Sequence, residues 1–212
     1  MARDVAAVVY VHGLWMPGFE GSLLRRRLRA ERGFRCHVFR YASVREPMAR
    51  VTAALRQLVN RIEAPEVHLL GHSLGGIVIQ RFLERHAMAQ PGRVLFMGTP
   101  ASGSRAARLL GGSALGRRLM GRTVAEELLL PRQPRWNNER ELGLIAGTAA
   151  LGLGQLLLTF HEANDGTVAV SETEIAGAKC RLNLPVSHSG MLLSVRVARE
   201  AGSFLQQGRF GA

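Results

Sequence analysis

Residues 71–75 read Gly-His-Ser-Leu-Gly, a Gly-x-Ser-x-Gly spacing that suits a nucleophilic serine on a sharp turn. An apolar run at 67–70 precedes the motif and a helical pattern follows it, so the expected order is strand, turn and helix. Such a turn strains the serine backbone, and the glycine on either side prevents a clash with the neighbouring strand and helix. We predict that Ser73 is a nucleophile at a helix N-terminus, where the helix dipole favours developing negative charge.

A nucleophilic serine needs a histidine base, which in this type of site follows the serine and an acid along the chain. The chain has seven histidines. Five of them precede the serine, lie in its strand or motif, or fall on the following helix: His12, His37, His68, His72 and His86. His188 follows a strand-like run and precedes an amphipathic pattern, so it is the predicted base, with His161 as the alternative.

The acid is restricted by composition, because the chain contains only two aspartates, Asp4 and Asp165. Asp4 lies before the first predicted strand and cannot follow the serine. Asp165 lies in an Asn-Asp-Gly turn sequence between the fifth predicted strand and the strand that leads to His188. Such a turn alone would be unremarkable, but its place in the chain order predicts that Asp165 is the acid. Glu162 is the alternative.

The third requirement is a pair of backbone N–H groups that bind the oxyanion. The sequence His-Gly-Leu-Trp at 12–15 follows the first predicted strand, and its glycine lets the backbone turn toward the serine. We predict the amides of Leu14 and Leu74 as donors, with Gly13 or Trp15 as alternative registers for the first. Three side chains are assigned to the substrate pocket: Trp15, Met16 and His72.

Short β-rich runs alternate with helical patterns, which predicts an α/β fold with a mostly parallel sheet of about six strands and helices on both faces. The predicted strands are Val5–Val11, Arg35–Tyr41, Val67–Leu70, Arg93–Gly98, Leu142–Ala146 and Arg181–Val186. The predicted helices are Gly18–Arg32, Pro47–Ile62, Leu74–Ala89 and Gly190–Gln207.

The alternation of strand and helix patterns is interrupted after the fourth predicted strand. Residues 100–141 read as a short cap-like insertion at the place where α/β enzymes carry a cover over the active site. A second apolar stretch, Ala149–Phe160, is interrupted by glycines. Either stretch could line an apolar pocket or simply pack onto the sheet. A length of 212 residues suits a single domain, 1–212.

The formal net charge is +12, and all but one of the 28 basic residues are arginine. Such a ratio is as consistent with base composition as with selection for an anionic partner. The densest cluster, within 25–32, is interpreted as a solvated helix face, with weak contact to an anionic membrane surface as the alternative. The sequence has no nucleic-acid-binding motif and only 6% aromatic residues, so residues that could stack on bases are scarce and no nucleic-acid partner is expected.

Cys36 and Cys180 are isolated and lack metal-ligand spacing, so we interpret them as reduced residues and expect no metal. The first apolar run is too short to cross a bilayer and has no following cleavage site. A cytoplasmic location is therefore expected.

Five segments together resemble the alpha/beta hydrolases: VVYVHGLW, HLLGHSLGG, LFMGTPASGS, NDGTVAV and LPVSHSGML. They extend from residue 8 to residue 192, and the chain is similar to small bacterial lipases and esterases and to the catalytic core of GPI inositol-deacylases. The resemblance implies hydrolysis of carboxylic esters through an acyl-enzyme, without a cofactor. It also implies that residues 99–104 border the site. The first strand corresponds to the third strand of the family's usual sheet, which suggests a minimal core.

Several functions are compatible with these residues. The first expectation is an esterase or lipase-like enzyme that acts on a small-molecule or lipid ester. A thioesterase or acyltransferase would use the same triad with another leaving group or acceptor. A non-catalytic binding module on the same fold is the remaining alternative, because fold alone does not determine function.

Overall fold

The computed structural model describes residues 5–129, 133–151 and 162–211. Its centre is a six-stranded, all-parallel sheet with the order β2-β1-β3-β4-β5-β6. The strands are β1 (Ala7–Val11), β2 (Arg35–Phe39), β3 (Val67–His72), β4 (Val94–Met97), β5 (Leu142–Gly147) and β6 (Cys180–Leu184). The helices are α1 (Ser22–Arg32), α2 (Met48–Asn60), α3 (Leu74–Arg85), α4 (Arg105–Gly111), α5 (Ala114–Leu128) and α6 (Val195–Gln207). The predicted fold class is confirmed.

The central strands are buried on both faces, because helices cover the sheet from both sides. All five residues of β1 and all six of β3 are buried. Alternate side chains of β1 contribute to two separate apolar clusters, Val9 to the one with α2 and α3 and Tyr10 to the one with α1 and α6. This alternation explains why the strands read as short continuous apolar runs in the sequence.

The ends of the predicted elements differ from the observed ones for local reasons. The helix predicted from Gly18 begins at Ser22, because Gly18 has a left-handed φ of 91° and lies in a loop. The helix predicted from Gly190 is a short 3₁₀ turn followed by α6, which Ser194 caps by accepting a hydrogen bond from the Val197 amide. Strand β3 continues two residues beyond its predicted end, to His72.

Helices α4 and α5 occupy most of the predicted insertion at 100–141. A 2.8 Å ion pair between Arg81 Nε and Glu127 Oε2 holds the end of α5 to α3. The Leu119 carbonyl of α5 accepts a 3.0 Å hydrogen bond from Trp15 Nε1, so the insertion contacts the loop after β1. Most of the second apolar stretch, Ala149–Phe160, lies outside the described residues.

The arginine cluster of α1 binds mainly to the protein itself. Arg25 is only 8% exposed, and its Nη1 donates a 2.8 Å hydrogen bond to the Gly18 carbonyl. Three further arginines also donate to backbone carbonyl groups: Arg27, Arg29 and Arg32. The interpretation as a solvated face is therefore wrong for Arg25, and contact with an anionic membrane remains a prediction.

Among the described residues, no helix has the length and apolar character needed to cross a bilayer. Cys36 and Cys180 are both free. Cys36 is buried against α1, and Cys180 is partly buried in the edge strand β6.

His68 is a buried titratable group at the sheet edge opposite the Gly-x-Ser-x-Gly turn. Its Nδ1 accepts a 2.9 Å hydrogen bond from the Arg93 amide, which requires an unprotonated nitrogen. The pKa of His68 is lowered to about 4. Burial is the larger cause, and the positive charges of the nearby Arg93 and Arg140 lower it further. The exposed Glu66 carboxylate, 3.3 Å from Nε2, does not offset these effects, because water screens it.

We expect the free energy of unfolding to fall as pH decreases from 6.5 toward 4, because the unfolded chain then binds a proton that folded His68 rejects. The loss from His68 should be roughly 2 kcal/mol at pH 4.5. His68→Asn retains an acceptor near the Arg93 amide but cannot titrate. Urea unfolding at pH 7.5 and 4.5 should therefore show a smaller pH effect in this variant; an equal pH effect would contradict the prediction.

Candidate active site

The Gly-x-Ser-x-Gly motif forms the predicted turn between β3 and α3. Ser73 has φ 53° and ψ −124°, a left-handed conformation that is strained for a residue with a side chain. Its amide donates a 2.9 Å hydrogen bond to the Met97 carbonyl at the end of β4. This bond keeps the serine at the carboxyl edge of the sheet, directly before the first residue of α3.

The glycines beside Ser73 allow the backbone to pack closely around this turn. A Cβ on Gly75 would lie 2.1 Å from the Val11 carbonyl oxygen, and one on Gly71 would lie 2.5 Å from the Gly76 amide. Both contacts are with backbone atoms, which cannot rotate away. The motif is therefore required by packing as well as by the strained serine.

We expect Gly75→Ala to destabilise the fold by about 3 kcal/mol, because the new methyl group would overlap the Val11 carbonyl. Urea unfolding measures the change. Gly211→Ala is the matched control, since its Cβ would meet only side-chain atoms, the nearest being the Ser203 hydroxyl oxygen at 3.3 Å. Equal stability of the two variants would contradict the packing explanation.

The predicted acid and base form a buried pair. His188 Nδ1 lies 2.7 Å from Asp165 Oδ2, and the aspartate is 1% exposed. The other oxygen, Oδ1, accepts hydrogen bonds from the amides of Thr167 at 2.9 Å and Val168 at 2.7 Å. The His188 amide also donates to the Asp165 carbonyl at 2.8 Å. The carboxylate is therefore held by its own turn and directed at the imidazole.

This pair lies at the same sheet edge as the serine. A Cβ on Gly98, the residue after β4, would lie 3.1 Å from both Asp165 Oδ2 and His188 Nδ1. The preceding residue, Met97, is the one that binds the Ser73 amide. Within the described residues no hydrogen bond involves Ser73 Oγ, and in sites of this kind such bonds often form only when substrate binds.

The loop after β1 lies directly beside the serine. A Cβ on Gly13 would be 3.1 Å from the Ser73 Cβ. The amides of Leu14 and Leu74 have no acceptor among the described residues, which leaves both N–H groups available to a ligand. The Trp15 amide donates a 3.1 Å hydrogen bond to Ser43 Oγ. This bond makes Trp15 the least suitable of the alternative donors.

His12, which the chain order excludes as a base, anchors this loop. Its Nδ1 lies 2.9 Å from the Gly13 carbonyl, and its Nε2 is 3.3 Å from the Tyr41 amide. The amide must donate, so Nδ1 carries the proton, and burial lowers the pKa of His12 in favour of this neutral form. Because a peptide is planar and trans, holding the Gly13 carbonyl also orients the Leu14 N–H in the opposite direction.

The residues assigned to the substrate pocket differ in exposure. Trp15 is 59% exposed and has a left-handed φ of 59°. Met16 is partly buried against the apolar cluster that contains α1 and α6. His72 is fully buried, and its Nε2 is 3.0 Å from the His188 carbonyl.

The alternative acid has other partners. Glu162 forms an ion pair with Arg105 at the start of α4, and hydrogen bonds from Ser171 and Arg105 lower the pKa of this carboxyl. The alternative base, His161, lies outside the described residues.

Glu172 was not indicated by the sequence. It is 5% exposed; Oε1 accepts a 2.6 Å hydrogen bond from the Arg105 amide, and Oε2 accepts one of 3.0 Å from the Ala169 amide. Glu172 therefore joins the start of α4 to the segment that follows the Asp165 turn. Its carboxylate is enclosed by these donors, which indicates a structural role.

In the part of the chain that the structure describes, no group of three or more His, Cys, Asp or Glu residues could hold a metal ion. The arrangement at the sheet edge can supply a hydroxyl nucleophile, an imidazole with a carboxylate partner and two free amides. These are the groups required for acyl transfer.

The sequence model of a protein family described as "Alpha/beta hydrolase family" matches residues 8–191 of this chain. The match includes the loop after β1, the Ser73 turn, Asp165 and His188. No curated protein matches the chain.

Solved structures with a similar backbone include three enzymes or enzyme-related proteins. A metagenomic carboxyl esterase is 19% identical with a TM-score of 0.61; the alignment covers 87% of this chain and 66% of that one, just under two thirds. A lipase-esterase related protein from Clostridium acetobutylicum is 10% identical with a TM-score of 0.63, covering 97% and 95%. A thioesterase from the prodiginine pathway in Streptomyces coelicolor is 15% identical with a TM-score of 0.60, covering 94% and 85%. At these identities the similarity concerns the fold.

Proposed function

Because this chain belongs to the alpha/beta hydrolase family, we propose that it is a serine hydrolase that cleaves carboxylic esters through an acyl-enzyme. Ser73 is the nucleophile, His188 the base and Asp165 the acid in this proposal. The amides of Leu14 and Leu74 bind the oxyanion. No cofactor takes part.

One observation carries the proposal. The strained Ser73, with φ 53°, lies at the same sheet edge as the buried 2.7 Å pair of His188 and Asp165. A left-handed backbone at a serine is energetically unfavourable, and residues with such strain cluster at active sites. The adjoining pair has the arrangement in which a carboxylate orients an imidazole toward a hydroxyl group.

In the acylation step Ser73 Oγ attacks the ester carbonyl carbon while its proton passes to His188 Nε2. The carboxylate of Asp165 keeps the proton on Nδ1 and stabilises the imidazolium that forms. The tetrahedral intermediate places its negative oxygen near the Leu14 and Leu74 amides, and a single donor of this kind contributes about 3–4 kcal/mol to transition-state stabilisation. His188 then returns the proton to the leaving alcohol.

Deacylation reverses these roles with water as the nucleophile. His188 takes a proton from water, which attacks the acyl carbon and forms a second tetrahedral intermediate at the same amides. Collapse of this intermediate breaks the bond to Ser73 Oγ, and His188 returns the proton to the serine. The products are a carboxylic acid and the regenerated enzyme.

Thioester hydrolysis and acyl transfer would use the same acyl-enzyme. They differ from ester hydrolysis in the leaving group, which is a thiol, or in the acceptor, which is an alcohol in place of water. Within the described residues, no specific contact favours either over ester hydrolysis.

The test is covalent labelling of the purified protein with a fluorophosphonate, followed by peptide mapping and by turnover of p-nitrophenyl esters of increasing acyl length. The proposal expects one label, on Ser73, and release of p-nitrophenol in an initial burst or at steady state. A protein that neither takes the label nor hydrolyses any ester of the series would be a binding module, and the proposal would be wrong.

A further inference from the structure

The buried side chain of His72 makes a contact that the proposed chemistry leaves unexplained. His72 immediately precedes Ser73, is 0% exposed, and its Nε2 is 3.0 Å from the backbone carbonyl of His188. The two imidazole rings are 4.8 Å apart at 44°. A residue of the nucleophile's turn is thus bonded directly to the residue proposed as base.

The geometry determines which nitrogen carries the proton. A carbonyl oxygen can only accept, so Nε2 of His72 must be the donor. Nδ1 is then an acceptor, and it is buried without a hydrogen-bond partner among the described residues. The pKa of His72 is lowered to about 3, mainly by burial and to a smaller extent by the nearby His188 ring. A pKa this low is consistent with a neutral ring.

This bond completes the attachment of residue 188. Its amide donates to the Asp165 carbonyl at 2.8 Å and its Nδ1 lies 2.7 Å from Asp165 Oδ2. Both of these attachments lead to the acid. The bond from His72 fixes the opposite end of the same residue to the chain neighbour of Ser73.

Stability alone gives a weak reason for a histidine at this position. A buried imidazole with one unpaired nitrogen is unfavourable, because that nitrogen loses its hydrogen bonds to water and gains none. An aliphatic side chain of similar size would avoid this cost. The contact with the His188 carbonyl is what the imidazole provides and an aliphatic side chain cannot.

We propose that His72 is a positioning residue, which holds the His188 backbone so that the imidazole lies at the correct distance from Ser73. The inference rests on the proposed function of Ser73 and His188. In this proposal His72 holds the backbone of the base, whereas the sequence predicted that His72 lines the substrate pocket.

Three substitutions distinguish positioning from simple packing. In glutamine and in histidine, Nε2 is separated from Cβ by the same number of bonds. His72→Gln can therefore retain the N–H donor to the His188 carbonyl. His72→Asn has the same amide one bond closer to the backbone, and His72→Leu has no donor. We expect the acylation rate to fall about 10- to 100-fold in His72→Leu and His72→Asn, as for a misplaced catalytic group, and His72→Gln to recover most of it.

The measurements are the rate of fluorophosphonate labelling, kcat and KM for a p-nitrophenyl ester, and the melting temperature of each variant. A positioning role expects a loss in kcat with little change in KM, and recovery by Gln but not by Asn. If His72→Leu labels as fast as the wild-type protein, the role of His72 is overturned and the proposed function stands. If His72→Leu does not fold, equal rates for the Gln and Asn variants overturn the inference. A wild-type protein that neither takes the label nor hydrolyses any ester of the series overturns both proposals.

Discussion

Ser73→Ala is expected to reduce ester hydrolysis roughly a millionfold in kcat, to the level that substrate binding and the free amides alone support. The reason is that the variant lacks the hydroxyl that forms the acyl-enzyme, so neither His188 nor Asp165 has a nucleophile to act upon. Steady-state turnover of a short p-nitrophenyl ester measures the loss. The variant should also take no fluorophosphonate label.

The matched control for this variant is Ser189→Ala. Ser189 is an exposed serine beside the proposed base, and its side chain caps no helix. This change should leave turnover nearly unaltered. Both variants should unfold at about the wild-type temperature, because each removes a single oxygen atom. Turnover at the wild-type rate in Ser73→Ala would exclude Ser73 as the nucleophile.

Asp165→Asn is expected to lower kcat by about 10⁴-fold with a much smaller effect on KM. The carboxylate accepts the Nδ1 proton of His188, whereas an amide nitrogen at the same place would donate and favour the wrong tautomer. The base would then present a proton to Ser73 in place of a lone pair. The kinetic constants of the purified variant measure the effect.

Glu162→Gln provides the comparison for the acid. The sequence left Glu162 as the alternative, and in the structure its carboxylate is paired with Arg105. We expect less than a tenfold change in kcat for this variant. A larger loss from Glu162→Gln than from Asp165→Asn would exchange their proposed roles.

The sequence predicted the order of the six strands and of four of the six helices that the structure describes, and it supplied the residues of the proposed triad. Helices α4 and α5 were not predicted, because they lie in the segment that was interpreted only as a cap-like insertion. Glycine spacing identified the turn at Ser73, and the presence of only two aspartates left Asp165 as almost the sole acid. Helix and strand ends were less accurate, because they depend on local conformations such as the left-handed φ of Gly18. These conformations follow from contacts with distant residues as much as from local sequence.

The supporting contacts could not be predicted from spacing. His12 and His72 were excluded as bases by chain order, yet both have buried rings that bind backbone carbonyls. The partner of His72 is 116 residues away, and no local pattern indicates which carbonyl a buried imidazole will meet. The contacts of Glu172 were equally unpredictable, because one partner lies in its own turn and the other at the distant start of α4.

The two oxygens of Asp165 have different partners: one stabilises the local turn, and the other contacts the proposed base. Oδ1 closes the turn through two backbone amides, whereas Oδ2 is directed at His188. A change at residue 188 should therefore leave the turn and two of these three hydrogen bonds of the carboxylate in place. The buried Oδ2, in contrast, has the imidazole as its partner, so an apolar residue in place of His188 should destabilise the fold through this one oxygen.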